Sequence, residues 1–274
     1  LGWGNYANDH EDGNGQFEQN FEHADALTTA DRVITLRYLI TMMAEERGML
    51  ATFMPKPFTD RTGSGLHLHL SLWDDDTPLF PAGEAVDGRG LGLSGTAYAF
   101  TAGILEHASA LQAVLGPSVN SYKRTGAVAT TSGASWAPRV PTYGGNDRTH
   151  FVRVPDGNRI ELRGGDGSAN PYLAIAACLG AGLDGVERDL DPGSVGGDNR
   201  VSRGALPRTL LHAVEALEAD PVVVRALDQA VVPPDDGTPP MEVAAYFAET
   251  KREEFLSWHA QVTPWETERY LGAY

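Results

Sequence analysis

Two imidazoles two residues apart, His67 and His69, stand in the run TGSGLHLHLSL from Thr62 to Leu72. The run alternates Leu66, Leu68 and Leu70 with His67, His69 and Ser71, which is the period of a strand with two unlike faces. Side chains two apart on a strand stand roughly 6 to 7 Å from each other. That spacing suits two tasks in one cleft, one imidazole on a metal and its neighbour on whatever the metal binds. A surface strand carrying solvated histidines accounts for the same letters equally well. Glu11 and Glu18 flank a turn containing Gly13 and Gly15, which lets two carboxylates converge from adjoining strand ends. Hard cations such as Mg2+ or Mn2+ take oxygen ligands of that kind, and a solvated hairpin is the plain alternative. Arg159, Glu161 and Arg163 step by two along one strand face after a turn at Pro155 to Gly157. The row is either a cross-strand ion ladder or, if it lines a cleft with His67, an oxygen ligand between two guanidinium clamps for phosphate or carboxylate. Arg148 and Arg153 flank the preceding run, and so many arginines gathered in one part of an acidic chain favour an anionic substrate. Lys123 and Arg124 open a long segment of Gly, Ala, Ser and Thr with neither helical nor strand period, a lid or a surface loop.

These residues need elements to hold them. Val33, Leu36, Leu39, Ile40 and Met43 recur at three- and four-residue steps and predict a scaffold helix from about Thr29 to Arg47, stopped by Gly48. ATFMPKPF is expected as a short strand leading into the histidine strand, and Trp73 to Leu93 as a polar loop. A second helix is expected from Ser94 through Val114, before Gly116 and Pro117. A buried helix should run from Tyr172 to Gly185, opened by Pro171. The tail divides into a connector from Asp191 to Pro207, helices at Leu211 to Ala219 and Pro221 to Ala230, a turn at Pro233 to Pro240 and a helix from Met241 to His259. No repeat and no low-complexity tract is present.

Composition narrows the class. A chain of 274 residues with 42% hydrophobic content supports a substantial core. With 37 acidic against 21 basic residues its formal charge is −16, which repels phosphate backbones and anionic lipid alike, so neither nucleic acid nor membrane is expected as a partner. The single cysteine, Cys178, lies in an apolar run, which points to a buried thiol and a cytoplasmic protein. Apolar stretches are interrupted well before the roughly 18 residues that a membrane helix needs. Motif residues begin so soon after Leu1 that a longer parent protein is expected.

NGQFE, MPKPF, GSGLHLHLSL, NSYKR, RIELR and SANPYL, in this order and at these separations, resemble the catalytic domain of the glutamine synthetases, ATP-dependent ligases that join glutamate to ammonia. Each motif alone is modest, but six in register are specific. The resemblance runs from about His10 to Gly185, with the tail matching loosely. TFMPKPF into DRTGSGLHLHLSL, and YGGND, look most like the type III branch, which includes gamma-glutamylmethylamide synthetases.

The resemblance implies an α+β fold in which a curved, mainly antiparallel sheet, a half-barrel, is backed by helices. All of residues 1–274 would be catalytic domain, 205–274 its helical tail, with a small amino-terminal domain and a first catalytic strand lying upstream. It implies that Glu11 and Glu18 hold one divalent metal, and His67 and Glu161 a second. His69, Ser71, Arg153 and Arg159 would contact ATP, with Arg148 and Arg153 along the transferring phosphoryl group. Arg124 and Arg163 would grip glutamate, with Gly63 supplying backbone contact, and Arg148 and Arg124 would be catalytic. The partners implied are glutamate, ATP and ammonia or a small amine, and the full-length protein would be a large homo-oligomer with active sites between subunits. Three positions depart from the family pattern. Trp136 replaces the acid that many members place before Ala-Pro, Thr62 stands where many have asparagine, and Val201 stands where some bacterial members carry a regulatory tyrosine. Trp136 in a loop without any acid from Thr125 to Pro141 suggests an alkylamine as second substrate. A metal-dependent hydrolase and a catalytically inactive relative serving as a binding subunit are the rival readings.

Overall fold

The computed structural model describes residues 1–84, 87–126, 136–197, 204–228 and 242–273. Its centre is a four-stranded sheet in the order β3 (Leu68–Leu70), β8 (Arg159–Leu162), β7 (Val152–Asp156), β6 (Tyr143–Gly144). The first three pair antiparallel and β6 joins β7 in parallel. Two separate hairpins complete the strands: β1 (Asn5–His10) with β2 (Phe17–Phe21), and β4 (Trp73–Asp74) with β5 (Thr77–Pro78). The α+β class and the mainly antiparallel pairing therefore hold. The pairings give three small sheets and no closed barrel among the described residues.

The histidine run ladders only over Leu68–Leu70. Upstream, Gly65 bridges Asp166 and the Leu66 amide donates to the Gly165 carbonyl at 3.0 Å. Between the Gly65 to Asp166 bridge and the Leu68 to Leu162 pair the β8 side carries one residue more, which interrupts the ladder. MPKPF is not a strand. Pro55 and Pro57 have no amide to give, and the backbone between them is satisfied by a side chain instead: the Lys56 amide donates to Asn120 Oδ1 at 2.7 Å and Asn120 Nδ2 to the Lys56 carbonyl at 3.0 Å.

The helix expected from Ser94 to Val114 is two, α2 (Gly95–Glu106) and α3 (Ala108–Leu115), hinged at His107. Ser94 caps the first by accepting from the Ala97 amide. The helix α4 (Ser121–Thr125) follows, then α5 (Pro171–Glu187), which Asn170 caps through the Tyr172 and Leu173 amides with Pro171 in the first turn. α2 and α5 touch backbone to backbone. A Cβ on Gly103 would lie 2.1 Å from the Ala181 carbonyl, and one on Gly185 2.1 Å from the Ala99 carbonyl. Only glycine fits at either position. Phe100, Ile104, Leu111, Ala177, Cys178 and Ala181 fill the core around this crossing, and burial pushes the Cys178 thiol up to about 12.

The first helix, α1 (Ala26–Glu45), departs from its expected role. Asp25 caps it, but Ala30 is its only buried residue; Met43 is exposed, and Val33, Leu36, Leu39 and Ile40 are only partly covered. Its apolar period therefore faces a half-open surface. The tail forms α6 (Leu210–Glu218), α7 (Pro221–Leu227), α8 (Val243–His259) and a short α9 (Pro264–Tyr270) that the sequence reading did not anticipate. A capping box between Thr263 and Glu266 starts it. The lid residues 127–135, Val201 and the turn from Pro233 to Pro240 lie outside the described residues. Among the described residues no helix is long and apolar enough to cross a membrane.

Candidate functional site

β8 lies between two strands, so Glu161 stands opposite His69 on one side and Arg153 on the other. Its carboxylate is 2% exposed and serves three groups. Oε2 accepts from Arg153 Nη1 at 2.6 Å, Oε1 accepts from Arg163 Nη1, and His67 Nδ1 lies 3.1 Å from Oε1. Burial alone would raise the pKa of Glu161, but the hydrogen bond of His67 and the guanidiniums of Arg163 and Arg153 hold it well below the carboxylate range. For His67 the balance falls the other way. Burial lowers its pKa, Glu161 raises it, and Arg163 and Arg124 lower it again, with a net downward shift. The ring is thus neutral near pH 7, with Nδ1–H directed at the Glu161 carboxylate and the Nε2 lone pair presented on its other side. Gly65 keeps that side open, since a Cβ there would lie 3.0 Å from His67 Nε2 and 2.8 Å from Arg124 Nη2.

Arg124 is buried and closes the inner end. Its Nη2 donates to the Arg163 carbonyl at 3.5 Å, while Nη1 has no hydrogen-bond partner among the described residues. A buried guanidinium edge left unpaired fits an incoming carboxylate or phosphate.

The outer end holds the group expected at ATP. Arg159 Nε donates to His69 Nδ1 at 3.0 Å, and Arg159 Nη1 pairs with Asp156 at 2.6 Å. Trp73 Nε1 donates to Ser71 Oγ at 2.9 Å, and the indole stacks on His23 with centroids 6.1 Å apart and planes 7° apart. Arg153 belongs to the centre, held by Glu161 and by Asn146, which accepts its Nε at 2.9 Å.

The Gly-turn hairpin docks on this face. Gln16 Nε2 donates to the Gly63 carbonyl at 3.1 Å and to Ser64 Oγ at 3.3 Å, and Thr62 Oγ1 donates to Asp12. The Gly63 carbonyl is thus already used within the protein. Glu11 is pushed upward by burial first and by the charge of Glu18 second, against a downward pull from Arg148. Two carboxylates that repel each other suit a cation between them. Glu18 also accepts from Asn20 Nδ2 at 2.8 Å. Among the described residues, no group of three or more His, Cys, Asp or Glu side chains stands ready to hold a metal ion. Of the residues expected at metals, Glu11 feels the charge of Glu18, and His67 lies against Glu161. The charge of Arg148 reaches Glu11, its backbone carbonyl accepts from Arg163 Nε at 3.1 Å, and its guanidinium lies 5.4 Å from the centroid of the Trp136 ring.

Gln16, Gly65, Trp73 and His23 were not singled out from the sequence. Gly65 had the only readable signal, the GSG doublet; the other three act through partners far away in the chain. A separate hollow of about 330 Å³ lined by Asp87, Arg89, Ser94 and Tyr98 contains none of the site residues.

Comparisons with known proteins give the family of the chain. The family model described as glutamine synthetase, catalytic domain, matches residues 2–270. The chain is 40% identical over 278 residues to a glutamine synthetase of Rhizobium leguminosarum bv. phaseoli, covering 99% of this chain and 61% of that protein. It is 41% identical over 276 residues to a glutamate--methylamine ligase of Methyloversatilis universalis, covering 97% and 59%. A solved structure described as a GmaS/ADP complex superposes with a TM-score of 0.86 at 49% identity, covering 98% of this chain and 60% of that one. The chain therefore spans about three fifths of the length of the curated relatives it matches.

Proposed function

This chain belongs to the glutamine synthetase family, and from that premise we propose that the protein carrying it is an ATP-dependent ligase forming a gamma-glutamyl amide from glutamate and a small amine. One observation carries the reading: a buried guanidinium edge at Arg124, unpartnered among the described residues, opens across Gly65 beside a neutral His67 and the Glu161 knot. That hollow suits a substrate bearing carboxylates next to a phosphate.

Arg124 and Arg163 would grip glutamate, while His69, Ser71 and Arg159 would hold ATP, with the stacked Trp73 at the rim. Arg148 and Arg153 would lie along the transferred phosphoryl group, where fixed guanidiniums stabilise charge that develops in transfer. The side-chain carboxylate oxygen of glutamate attacks the terminal phosphorus and ADP leaves. The amine nitrogen then attacks the acyl carbon, phosphate leaves and the nitrogen gives up a proton. Glu11 with Glu18, and His67 with Glu161, would hold Mg2+ or Mn2+, with further donors from substrate or solvent. Bound there, the ions would supply charge neutralisation at the phosphates. A lid after Arg124 would keep water from the activated acyl group.

For the amine, the family offers ammonia and methylamine. Trp136 favours the alkylamine, because an indole offers a cation-attracting face where an acid would serve ammonium. Arg148 already covers one side of that indole. We also propose that residues 1–274 form one catalytic domain with 205–274 as its tail, that the small sheets are parts of a curved half-barrel, and that the protein assembles as a homo-oligomer. The exposed Leu27, Ile34, Tyr38 and Met43 of α1 support the last of these.

Turnover of the complete protein with ammonium, methylamine and ethylamine tests the reading. Glutamate-dependent ADP release with methylamine above ammonium is expected; a strong ammonium preference overturns the amine assignment. Nucleotide binding without turnover would favour an inactive binding subunit.

A further inference from the structure

The turn after β8 holds a second buried carboxylate, Asp166, fully enclosed and so far without a task. Its Oδ1 accepts from the Ser168 amide at 3.0 Å and the Ser168 hydroxyl at 2.6 Å, which pins the group within its own turn. Its Oδ2 is buried with no hydrogen-bond partner among the described residues. Among the described residues three guanidinium nitrogens are in the same condition, Arg32 Nε, Arg37 Nη2 and Arg124 Nη1, and the last two belong to arginines that feel the charge of Asp166. Leaving Asp166 Oδ2, Arg124 Nη1 and Arg37 Nη2 unpaired is costly unless their charges answer one another.

The backbone brings them together. Gly65, whose missing side chain makes room for Arg124 Nη2, bridges Asp166 directly. A Cβ on Gly116 would lie 3.5 Å from Asp166 Oδ2 and 3.1 Å from Ser121 Cβ, so the free oxygen is turned toward the start of α4, which carries Arg124. Arg37 reaches the same turn from α1, donating Nη1 to the Ala169 carbonyl at 2.9 Å, while the Ala169 amide donates to the Asp166 carbonyl at 3.1 Å. Both guanidiniums feel the Asp166 charge.

Arg124 also stands in the repulsive field of Arg163, and Glu161 is already shared among His67, Arg153 and Arg163. An anion behind Arg124 is needed to hold it facing the hollow. We propose that Asp166 is a positioning residue for Arg124, fixing from behind the guanidinium that grips the amino-acid substrate from in front, with Arg37 sharing the same carboxylate. The proposal rests on the ligase reading and deepens it.

Steady-state kinetics of the complete protein test it, with glutamate and ATP varied separately for the wild type, Asp166→Asn, Arg124→Lys and the double variant, and melting curves alongside. Asp166→Asn should raise the glutamate KM at least tenfold and leave the ATP KM within twofold. The double variant should stay within twofold of Arg124→Lys, because both changes act through one guanidinium. A glutamate KM unmoved by Asp166→Asn, an equal rise in both KM values, or effects that multiply in the double variant would overturn the proposal. Ser168→Ala, a milder change that frees Oδ1, should raise the glutamate KM three- to tenfold; no change there also counts against it, even if Asp166→Asn does not fold. A wild type with no glutamate-dependent ADP release would instead remove the ligase reading, and this proposal with it.

Discussion

His67 and His107 both meet carboxylates inside the protein, yet their protons are held in opposite ways. His107 sits at the hinge of α2 and α3, with Nδ1 2.7 Å from Asp220 Oδ2 and Nε2 3.0 Å from Asp184 Oδ2. Burial would lower its pKa, but hydrogen bonds and charge from two aspartates raise it, so the imidazolium is stabilised. Both aspartates are lowered in return, mainly by His107 against the upward push of burial, helped by Arg188 at Asp184 and by the Val223 amide at Asp220. His67 has one carboxylate, and three guanidiniums crowd the pair. Burial first, and the charges of Arg163 and Arg124 after it, keep its ring neutral. Where the charges close on themselves they make a clasp that joins α2, α5 and the cap of α7; where they stay uneven they leave a group able to bind something else.

Three experiments would sharpen or break this contrast. The largest effect is expected for Glu161→Gln, which leaves buried guanidiniums without their anion. A loss of about 3 to 5 kcal/mol in urea unfolding is expected, together with at least ~100-fold lower turnover; a variant with full activity would sink the site assignment. Next is His107→Gln, which sets two carboxylates against each other without a cation. It should cost about 3 kcal/mol while KM values of the folded enzyme stay put. His67→Asn should do the reverse, losing turnover with less than about 1.5 kcal/mol of stability. If both histidine variants lost stability alone, the distinction would fail.

The smallest effect is the pH dependence of the clasp. His107 is raised, so its contribution is complete below its unfolded value of 6.5 and fades as pH rises through the folded value. Asp184 and Asp220 are lowered, so theirs is complete above 3.8 and fades as pH falls through the folded values. The clasp should therefore be strongest between 3.8 and 6.5. Urea midpoints from pH 5 to 9 should fall more steeply for the wild type than for His107→Gln; parallel curves would refute the clasp.

Spacing marked many residues of the candidate site, and the family resemblance gave them roles. The two-residue steps of His67 and His69, and of Arg159, Glu161 and Arg163, are local and survive folding as one shared face. The six motifs pointed to the family. What escaped the reading depends on partners distant in the chain: His107 meets Asp220 across 113 residues, and Asn120 holds Lys56 in place of a strand neighbour. The period of α1 predicted burial, but period reports only that a helix has an apolar side, not what covers it. Asp166 went unnoticed because a lone acid in a Gly-rich turn looks like any solvated loop.

The glycine crossing of α2 and α5 gives those two ends of the molecule a common gauge. α5 begins just past the Asp166 turn and carries Asp184 near its far end, some 20 Å away at 1.5 Å per residue. With Gly103 and Gly185 bringing the two backbones into contact, one helix, its spacing from α2 set near its tail, carries Asp184 of the clasp at that end and follows the turn of Asp166 at the other.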